Sequence, residues 1–514
     1  MTYLTVPISA STPEEALSQV FAAKDAGAQM VELRTDYLEN LTVELFDDMF
    51  AKVLRAGIKT IVTCRDSSEG GQNDYPRKLR TQILVRAAGT GADFIDCEYA
   101  NFTKPDISKV LKDALKSGKT RLILSAHNFK TTFKDIESIY DGMLIAYPDA
   151  VPKIVYTAKH VNDCFAAFGL LHRKERDAIV LAMGEHGLIT RILAKKFGSL
   201  VCFACLDEKS ATAPGQVSIE QMKKLYRYDS MNSETQVFGI IGNPVSHSKS
   251  PAIHNACFEA CNMNRVYVPI LLKGDRLEFN RFMENIKERH WLNFGGFSVT
   301  IPHKENALEY ANHIGGFIEE QARTIAAVNT LTIGCNDRLS AYNTDYAGAM
   351  DALVKTMGID KAQLEHKPVA VIGAGGVSRA VVAGLVDAGA KVTIYNRTLS
   401  RAKKLASEFA CYHASMDDIA NLDAEIIINC TSIGMYPDVD SSPVPASVLK
   451  KSMVVFDTVY NPAETLLLKQ AKKAGAKTVP GVEMFIYQAM EQFEHFTGKK
   501  ADESVMRAVI KNSL

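Results

Sequence analysis

The chain has 514 residues, 47% of them apolar and 23% charged, with 59 basic and 59 acidic side chains and no formal net charge. That composition is globular, the length suits roughly two to four domains, and the neutral balance argues against nucleic acid or an anionic membrane as the main partner. No apolar stretch is long enough to span a bilayer, the opening MTYLTVPIS carries no basic leader, and ten cysteines without dense spacing suit reduced thiols, so a cytoplasmic protein is expected.

From the N-terminus, short apolar runs alternate with amphipathic stretches such as PEEALSQVFAAKDAG. The runs are YLTVPI (3–8), MVELR (30–34), TIVTCR (60–65), FIDCE (94–98), LILSAH (122–127), PKIVY (152–156), IVLAM (179–183) and LVCFAC (200–205). Eight strand–helix units predict a (β/α)8 barrel, with an open parallel sheet as the alternative. Cys202 and Cys205 form a CxxC in the last run and read as buried thiols rather than zinc ligands, since no second pair follows; no metal site is expected. Glu32, Arg34, Arg65, His127 and Arg191 cluster at or after strand ends, where barrels place chemistry. Lys153 is different. It lies near the start of its run, where an ammonium is costly unless paired or neutral. A snorkelling lysine at a strand end is the plain alternative.

A polar joint, RYDSMNSET (227–235), precedes a second half that opens with VFGIIGNPVSHSKSPAIHNACFEA. Strands are expected at VYVPILL (266–272), FSVTI (297–301) and NTLTIG (329–334). PVAVIGAGGVSRAVVAGLVDAGAKVTIYNRT (368–398) then reads as strand, glycine turn, helix and second strand. EIIINCT (425–431), MVVFDTV (453–459) and KTVPG (477–481) continue that sheet, and the end of the chain is helical. Gly373, Ala374, Gly375 and Gly376 form the turn that would let a pyrophosphate approach a helix N-terminus, although Ser378 stands where a third glycine is usual. Asn396, Arg397 and Thr398 replace the acidic residue that grips a free ribose, which predicts NADP(H). Ser246 and Ser248 of SHSKSP could bind a carboxylate. Lys304 and Asp345 supply the kind of proton donor a ketone reduction needs.

SHSKSP, VTIPHK, AVNTL, NTDYAG, GAGG, NRT, NCTSIGM and PGVEMFIYQA occur in this order between residue 237 and about residue 495. Together they closely resemble the shikimate dehydrogenase family. The resemblance implies that Ser246 and Ser248 hold a substrate carboxylate and that Lys304 and Asp345 are the catalytic pair. It implies that Thr300, Asn329 and Gln488 bind ring hydroxyls, and that Thr431 and Gly481 join the cofactor contacts. Ser298 departs from the asparagine usual in that family, which bears on shikimate preference.

The first half resembles type I 3-dehydroquinate dehydratase through VELRTDY (31–37), TCRDSSEGG (63–71), LSAHNF (124–129), VPKIVY (151–156), MGEHGLITR (183–191) and TAPGQ (212–216). That resemblance implies Lys153 as the Schiff-base residue, His127 as general acid/base and Glu69 as its orienting group. Arg191 would clamp the carboxylate, and Glu32, Arg34, Arg65, Thr212 and Gln216 would line the ring hydroxyls. Met183 would either cover the imine or serve core packing. Burial, helped by Arg65 and Arg191, is expected to favour the neutral amine. The expected organisation is a barrel over 1–230, a substrate domain over 231–345 completed by 481–514, and a Rossmann-type NADP domain over 346–480. The expected function is dehydration of 3-dehydroquinate followed by NADPH-dependent reduction to shikimate, with small molecules as partners and the oligomeric state open. The alternatives are a second half acting on quinate, or a non-catalytic metabolite sensor.

Overall fold

The computed structural model describes residues 1–116, 118–207, 215–334 and 338–512, so Thr212 lies outside the described residues. The chain divides into two compact units, Met1–Gln236 with Asn264–Lys273 and Glu284–Arg289, and Val237–Met263 with Gly274–Met283 and His290–Leu514.

In the first unit, eight parallel strands form one sheet: β1 (Tyr3–Ile8), β2 (Met30–Arg34), β3 (Lys59–Thr63), β4 (Phe94–Glu98), β5 (Arg121–Asn128), β6 (Val151–Thr157), β7 (Ile179–Met183) and β8 (Val201–Phe203). From β1 to β7 each strand pairs with the next, and β1 also pairs with β8. A backbone hydrogen bond from Leu200 N to Ala178 O, 2.9 Å, crosses the seam between β7 and β8. The sheet is thus a nearly closed barrel, as expected, and not an open layer. The helices between strands start where capping chemistry starts them. Thr12 accepts from Glu15 N at 3.2 Å with Pro13 at the first position of α1 (Pro13–Asp25). Thr42 does the same for Leu45 N at α2 (Val43–Arg55), which buries Phe46, Met49, Phe50 and Val53 at helical spacing.

Period-two alternation decides what fills the barrel. Met30, Ile61, Phe94, Ile123, Val151, Ile179 and Val201 belong to one apolar cluster at the N-terminal end. Two residues further along their strands stand Glu32, Thr63, Asp96, Ser125 and Lys153, all buried. Register explains the depth of Lys153. Glu98, the last residue of β4, is level with Ser125, and Ser125 is level with Lys153, the third residue of β6. Strand stagger therefore brings the start of β6 beside the end of β4.

The joint RYDSMNSET is tied to the barrel. Lys195 Nζ donates to the carbonyls of Tyr228 (2.8 Å) and Asp229 (3.0 Å), and Lys196 Nζ to that of Ser233 (3.0 Å). The Tyr228 hydroxyl donates to Thr2 O at 2.9 Å in a buried site.

The second unit holds two sheets. In one, Gln236–Gly242 runs parallel to Phe294–Val299, which pairs antiparallel with Thr330–Ile333. That strand pairs antiparallel with Leu339–Tyr342, whose other neighbour is Phe317–Ile318. The other is a six-stranded parallel sheet in the order Tyr412–Ser415, Lys391–Asn396, Pro368–Ile372, Ile426–Asn429, Val454–Asp457, Lys477–Val479. Numbered along the chain this is 3-2-1-4-5-6, the dinucleotide-binding order. Helix Gly481–Thr497 crosses helix Thr344–Met357 closely enough that a Cβ on Gly348 would lie 2.7 Å from Gln488 Cβ and 3.0 Å from Met484 O. Among the described residues no helix is long and apolar enough to cross a membrane.

Tyr228→Phe leaves the Thr2 carbonyl buried without its donor. The expected cost is about 1–3 kcal/mol, read as a lower denaturant midpoint for the barrel at unchanged slope; an unchanged midpoint would show that the joint is not a stabilising clasp.

Candidate active sites

The barrel's C-terminal mouth opens into a cleft of about 570 Å³ lined by Glu32, Arg34, Arg65, Glu69, His127, Lys153, Met183, Arg191 and Gln216 among others. Thus every described residue that the sequence reading assigned to this site reaches one cavity. Lys153 Nζ lies 2.8 Å from Asp96 Oδ2 and 3.0 Å from Glu32 Oε1, with the Phe203 ring 4.9 Å away. This corrects the expected cationic surroundings: the groups at contact distance are carboxylates. Arg65 is turned onto acids of its own, Asp96 at 2.9 and 3.0 Å, Glu98 at 2.9 Å, and the Ser125 hydroxyl at 2.7 Å. Burial opposes the Arg65 charge, but Asp96 and Glu98 raise its pKa well above the ordinary guanidinium value. Arg34 is gripped bidentately by Asp36, at 2.8 and 2.9 Å, and donates to Gly70 O at 3.2 Å.

Arg191 is the contrast. It is buried at 3% exposure, its Nε has no hydrogen-bond partner, and no carboxylate pairs with it among the described residues. Burial lowers its pKa to about 10. A buried, uncompensated guanidinium facing a cleft is a site for an anion.

His127 Nδ1 and Glu69 Oε2 are 3.0 Å apart, and the same oxygen accepts the His127 backbone N–H at 3.1 Å. That contact leaves Nε2 for chemistry. Burial, then Arg65 and Lys153, hold the imidazole pKa well below its ordinary value. Burial pushes Glu69 up to about 7 against the pull of Arg65. Burial thus disfavours the charged form of both partners. Phe129, 49% exposed, stacks on the His127 ring at 6.1 Å.

Asp96, Glu98 and Ser125 were not singled out from the sequence. The available signal was the alternation in FIDCE, where Phe94, Asp96 and Glu98 share one face, so an inward Phe94 takes two acids inward with it.

A second cleft, about 690 Å³, lies wholly in the second unit and is lined by Ser248, Ser250, Ser298, Thr300, Lys304, Asn329, Asp345, Gln488 and Gln492 among others. Lys304 Nζ pairs with Asp345 Oδ2. Asn329 Nδ2 donates to Asp345 Oδ1 at 2.9 Å and to Thr344 Oγ1 at 3.0 Å, fixing the carboxylate from behind. Asp345 also sits in the first turn of helix Thr344–Met357, whose cap Asn343 accepts from Asp345 N at 3.1 Å. One assignment is corrected. Ser246 is exposed and does not line the cleft; Ser248 and Ser250 do, because helix Ser250–Ala260 begins two residues after Ser248. The alternating-hydroxyl signal fitted either pair. Ser298 Oγ donates to Gln492 Oε1 at 2.7 Å, so the shorter side chain is satisfied within the wall.

The glycine turn follows strand Pro368–Ile372 and opens helix Gly376–Asp387. Gly373 has φ +109°, a left-handed conformation, and a Cβ there would lie 2.9 Å from Thr431 Cγ2. A Cβ on Gly375 would meet nothing within 4 Å, and one on Gly376 would lie 3.7 Å from Lys304 Cδ. Open space over amides at a helix start fits a pyrophosphate, and it adjoins the Lys304 side chain. Ala374 follows Gly373, and Ser378 Oγ accepts from Gly375 N at 3.1 Å, so the departure from the glycine pattern braces the turn. Thr431 is held by Asn429 Oδ1 at 2.7 and 3.0 Å. Asn396 bonds Thr398 O at 2.8 Å, and Arg397 beside it is exposed, as a phosphate clamp requires. Gly481 lines the substrate-side cleft rather than the glycine turn.

A profile of the type I 3-dehydroquinase family matches residues 4–233. Profiles of the shikimate dehydrogenase substrate binding domain, shikimate/quinate 5-dehydrogenase and the shikimate 5'-dehydrogenase C-terminal domain match 240–331, 356–458 and 481–511. The chloroplastic bifunctional 3-dehydroquinate dehydratase/shikimate dehydrogenase of Arabidopsis thaliana is 35% identical over 98% of this chain and 83% of its own length. Shikimate dehydrogenase (NADP(+)) of Methanocella arvoryzae is 41% identical over 54% of this chain and 99% of its own. A crystal structure of shikimate dehydrogenase in complex with NADP+ is 38% identical, with TM-score 0.50 over 55% of this chain and 96% of that one.

The raised Glu69 pKa has a signed consequence. An acid whose pKa rises on folding contributes stability that is full below its unfolded value, about 4.5, and lost as pH rises through about 7. Glu69→Gln removes that loss. The variant's melting temperature relative to the parent should climb from pH 5 to pH 8; a constant difference would mean that Glu69 does not titrate there.

Proposed function

The chain belongs to the family of bifunctional 3-dehydroquinate dehydratase/shikimate dehydrogenases, and from that premise we propose that it converts 3-dehydroquinate to 3-dehydroshikimate and then to shikimate with NADPH. The observation that supports this most is a lysine in each of two clefts within hydrogen-bond reach of a carboxylate, on a chain that its relative matches over 98% of its length.

In the barrel, Lys153 forms an imine with the substrate ketone, and the iminium draws electrons from the neighbouring carbon. His127, its Nδ1 held by Glu69, takes the proton from that carbon through Nε2 and returns it to the departing β-hydroxyl, which leaves as water; hydrolysis of the iminium then releases the product and frees Lys153. Arg191 pairs with the substrate carboxylate. Arg34, Glu32, Thr212 and Gln216 take the ring hydroxyls, Arg65 stays on Asp96 and Glu98, and Met183 covers the imine. In the second unit, Ser248 and Ser250 receive the carboxylate and Thr300, Asn329 and Gln488 the hydroxyls. Lys304 delivers a proton to the ketone oxygen, and Asp345 holds the ammonium in place. The turn Gly373–Gly376 with Thr431 would hold the NADPH pyrophosphate side, and Asn396, Arg397 and Thr398 its 2'-phosphate side. NADPH supplies the hydride. The proposed domains are 1–230, 231–345 with 481–514, and 346–480. A cytoplasmic setting belongs to the same reading, supported by cysteines that are all free among the described residues.

Two experiments test the reading. With 3-dehydroquinate and NADPH as the only substrates, the parent should consume NADPH, while Lys153→Ala should do so only when given 3-dehydroshikimate. NADPH loss in Lys153→Ala with 3-dehydroquinate would refute the Schiff-base assignment, and no loss in the parent with either compound would refute the pathway assignment. Arg397→Ala should raise the KM for NADPH about 10- to 100-fold, the scale of one charge-assisted contact, with the KM for 3-dehydroshikimate unchanged. Full NADPH affinity would remove Arg397 from the site.

A further inference from the structure

Asp96 is fully enclosed behind the barrel cleft. Its side chain has no exposure, and it does not line the cavity that Lys153 and Glu32 line. Arg65 holds both of its oxygens, at 2.9 and 3.0 Å, and Ser125 Oγ donates to Oδ1 at 2.6 Å. The remaining contact, Lys153 Nζ to Oδ2, is 2.8 Å. Glu32 touches the same ammonium at 3.0 Å but among the described residues takes only a Thr63 hydroxyl besides, at 2.9 Å, and faces the cleft. Two carboxylates on one ammonium thus differ in freedom. One is locked by a guanidinium, the other is open to the cavity.

We propose that Asp96 is the positioning residue of the dehydratase: a fixed counter-ion that holds the Lys153 nitrogen in place from ammonium to iminium, while Glu32 carries the proton that moves. The inference rests on the Schiff-base reading of Lys153. The balance of the step supports it. An ammonium and a ketone give an iminium and water: the C–N bond forms, the C–O bond breaks, and two of the three ammonium protons leave with the oxygen while one stays on nitrogen. The charge on nitrogen is the same before and after, so a permanent anion behind it opposes neither state. The amine that attacks is neutral only in between, and its proton then sits on Glu32, from which it passes to the departing oxygen. Because Asp96 never meets the substrate, it acts on the rate of imine chemistry rather than on binding. Arg65, read from the sequence as a ring-hydroxyl contact, keeps that anion ionised. Burial would raise the Asp96 pKa, but Arg65 and Lys153 together hold it well below the ordinary carboxylate value.

The test is Asp96→Asn in the full chain, with Asp96→Glu beside it. The reductase rate with 3-dehydroshikimate and NADPH reports on the same preparation, and a cooperative melt of the barrel reports its folding. Dehydratase kcat should fall at least about 100-fold with the KM for 3-dehydroquinate within about threefold of the parent, and Asp96→Glu should recover part of kcat. A merely structural residue would lower the melting temperature without this split, and that result, or a kcat within about fivefold of the parent, overturns the proposal. Should Asp96→Asn not fold, Ser125→Ala removes one hydrogen bond from the same carboxylate. A several-fold lower kcat at unchanged KM is then expected, and an unchanged kcat overturns the proposal. A parent chain without dehydratase activity would instead sink the Schiff-base reading itself, before any variant is compared.

Discussion

A carboxylate sealed between two cations governs the first active site. Taking Asp96, Arg65 and Lys153 out of water costs several kcal/mol per ion, and the cost is offset only when geometry and hydrogen bonds are complete. Here they are complete for Asp96: two guanidinium contacts, one hydroxyl and one ammonium. Those partners come from the loop after β3 and from β5 and β6, and none is near another in sequence. The barrel must therefore close in the right register before any of these charges is tolerable. The apolar cluster of Met30, Ile61, Phe94, Ile123, Val151 and Ile179 fixes that register from beneath. The ionic layer then stands two residues above it on the same strands. Arg191 has no acid paired with it among the described residues, which leaves a buried guanidinium facing the cleft without a counter-ion.

The second site meets the same need with less burial. Lys304 and Asp345 pair at the edge of a cleft, and the carboxylate is steadied by Asn329, by the Asn343 cap and by the start of its own helix. What this site depends on is a close approach of helices. Gly348 lets the Gly481–Thr497 helix bring Gln488 and Gln492 against the strands that carry Asn329 and Ser298. The glycine turn lies beside Lys304, a Cβ on Gly376 falling 3.7 Å from Lys304 Cδ.

Much of this was legible in the sequence because two signals are local. Strand period and helix caps mark elements within ten residues, and the barrel and parallel sheet follow from their alternation. Motif residues at strand ends and helix starts, such as His127 and Asp345, are legible for the same reason. The depth of Lys153 was not, since it depends on the stagger between β4, β5 and β6 rather than on its own run. Asp96 and Glu98 were passed over because an acid near a strand end looks like a solvated one; only Phe94 on the same face marks them as interior. The strands Phe317–Ile318, Leu339–Tyr342 and Tyr412–Ser415 were missed because they are short, and the last is a partly exposed, polar edge strand. Ser246 was preferred to Ser250 because spacing alone cannot tell which hydroxyls turn inward.

The central claim is that the buried amine of Lys153 becomes covalently bonded to substrate. The most direct measurement is borohydride reduction of the parent chain in the presence of 3-dehydroquinate, followed by peptide mass mapping. A reduced adduct is expected on the peptide carrying Lys153 and on no other lysine, Lys304 included. An unmodified Lys153 in a preparation that is turning over substrate would contradict it.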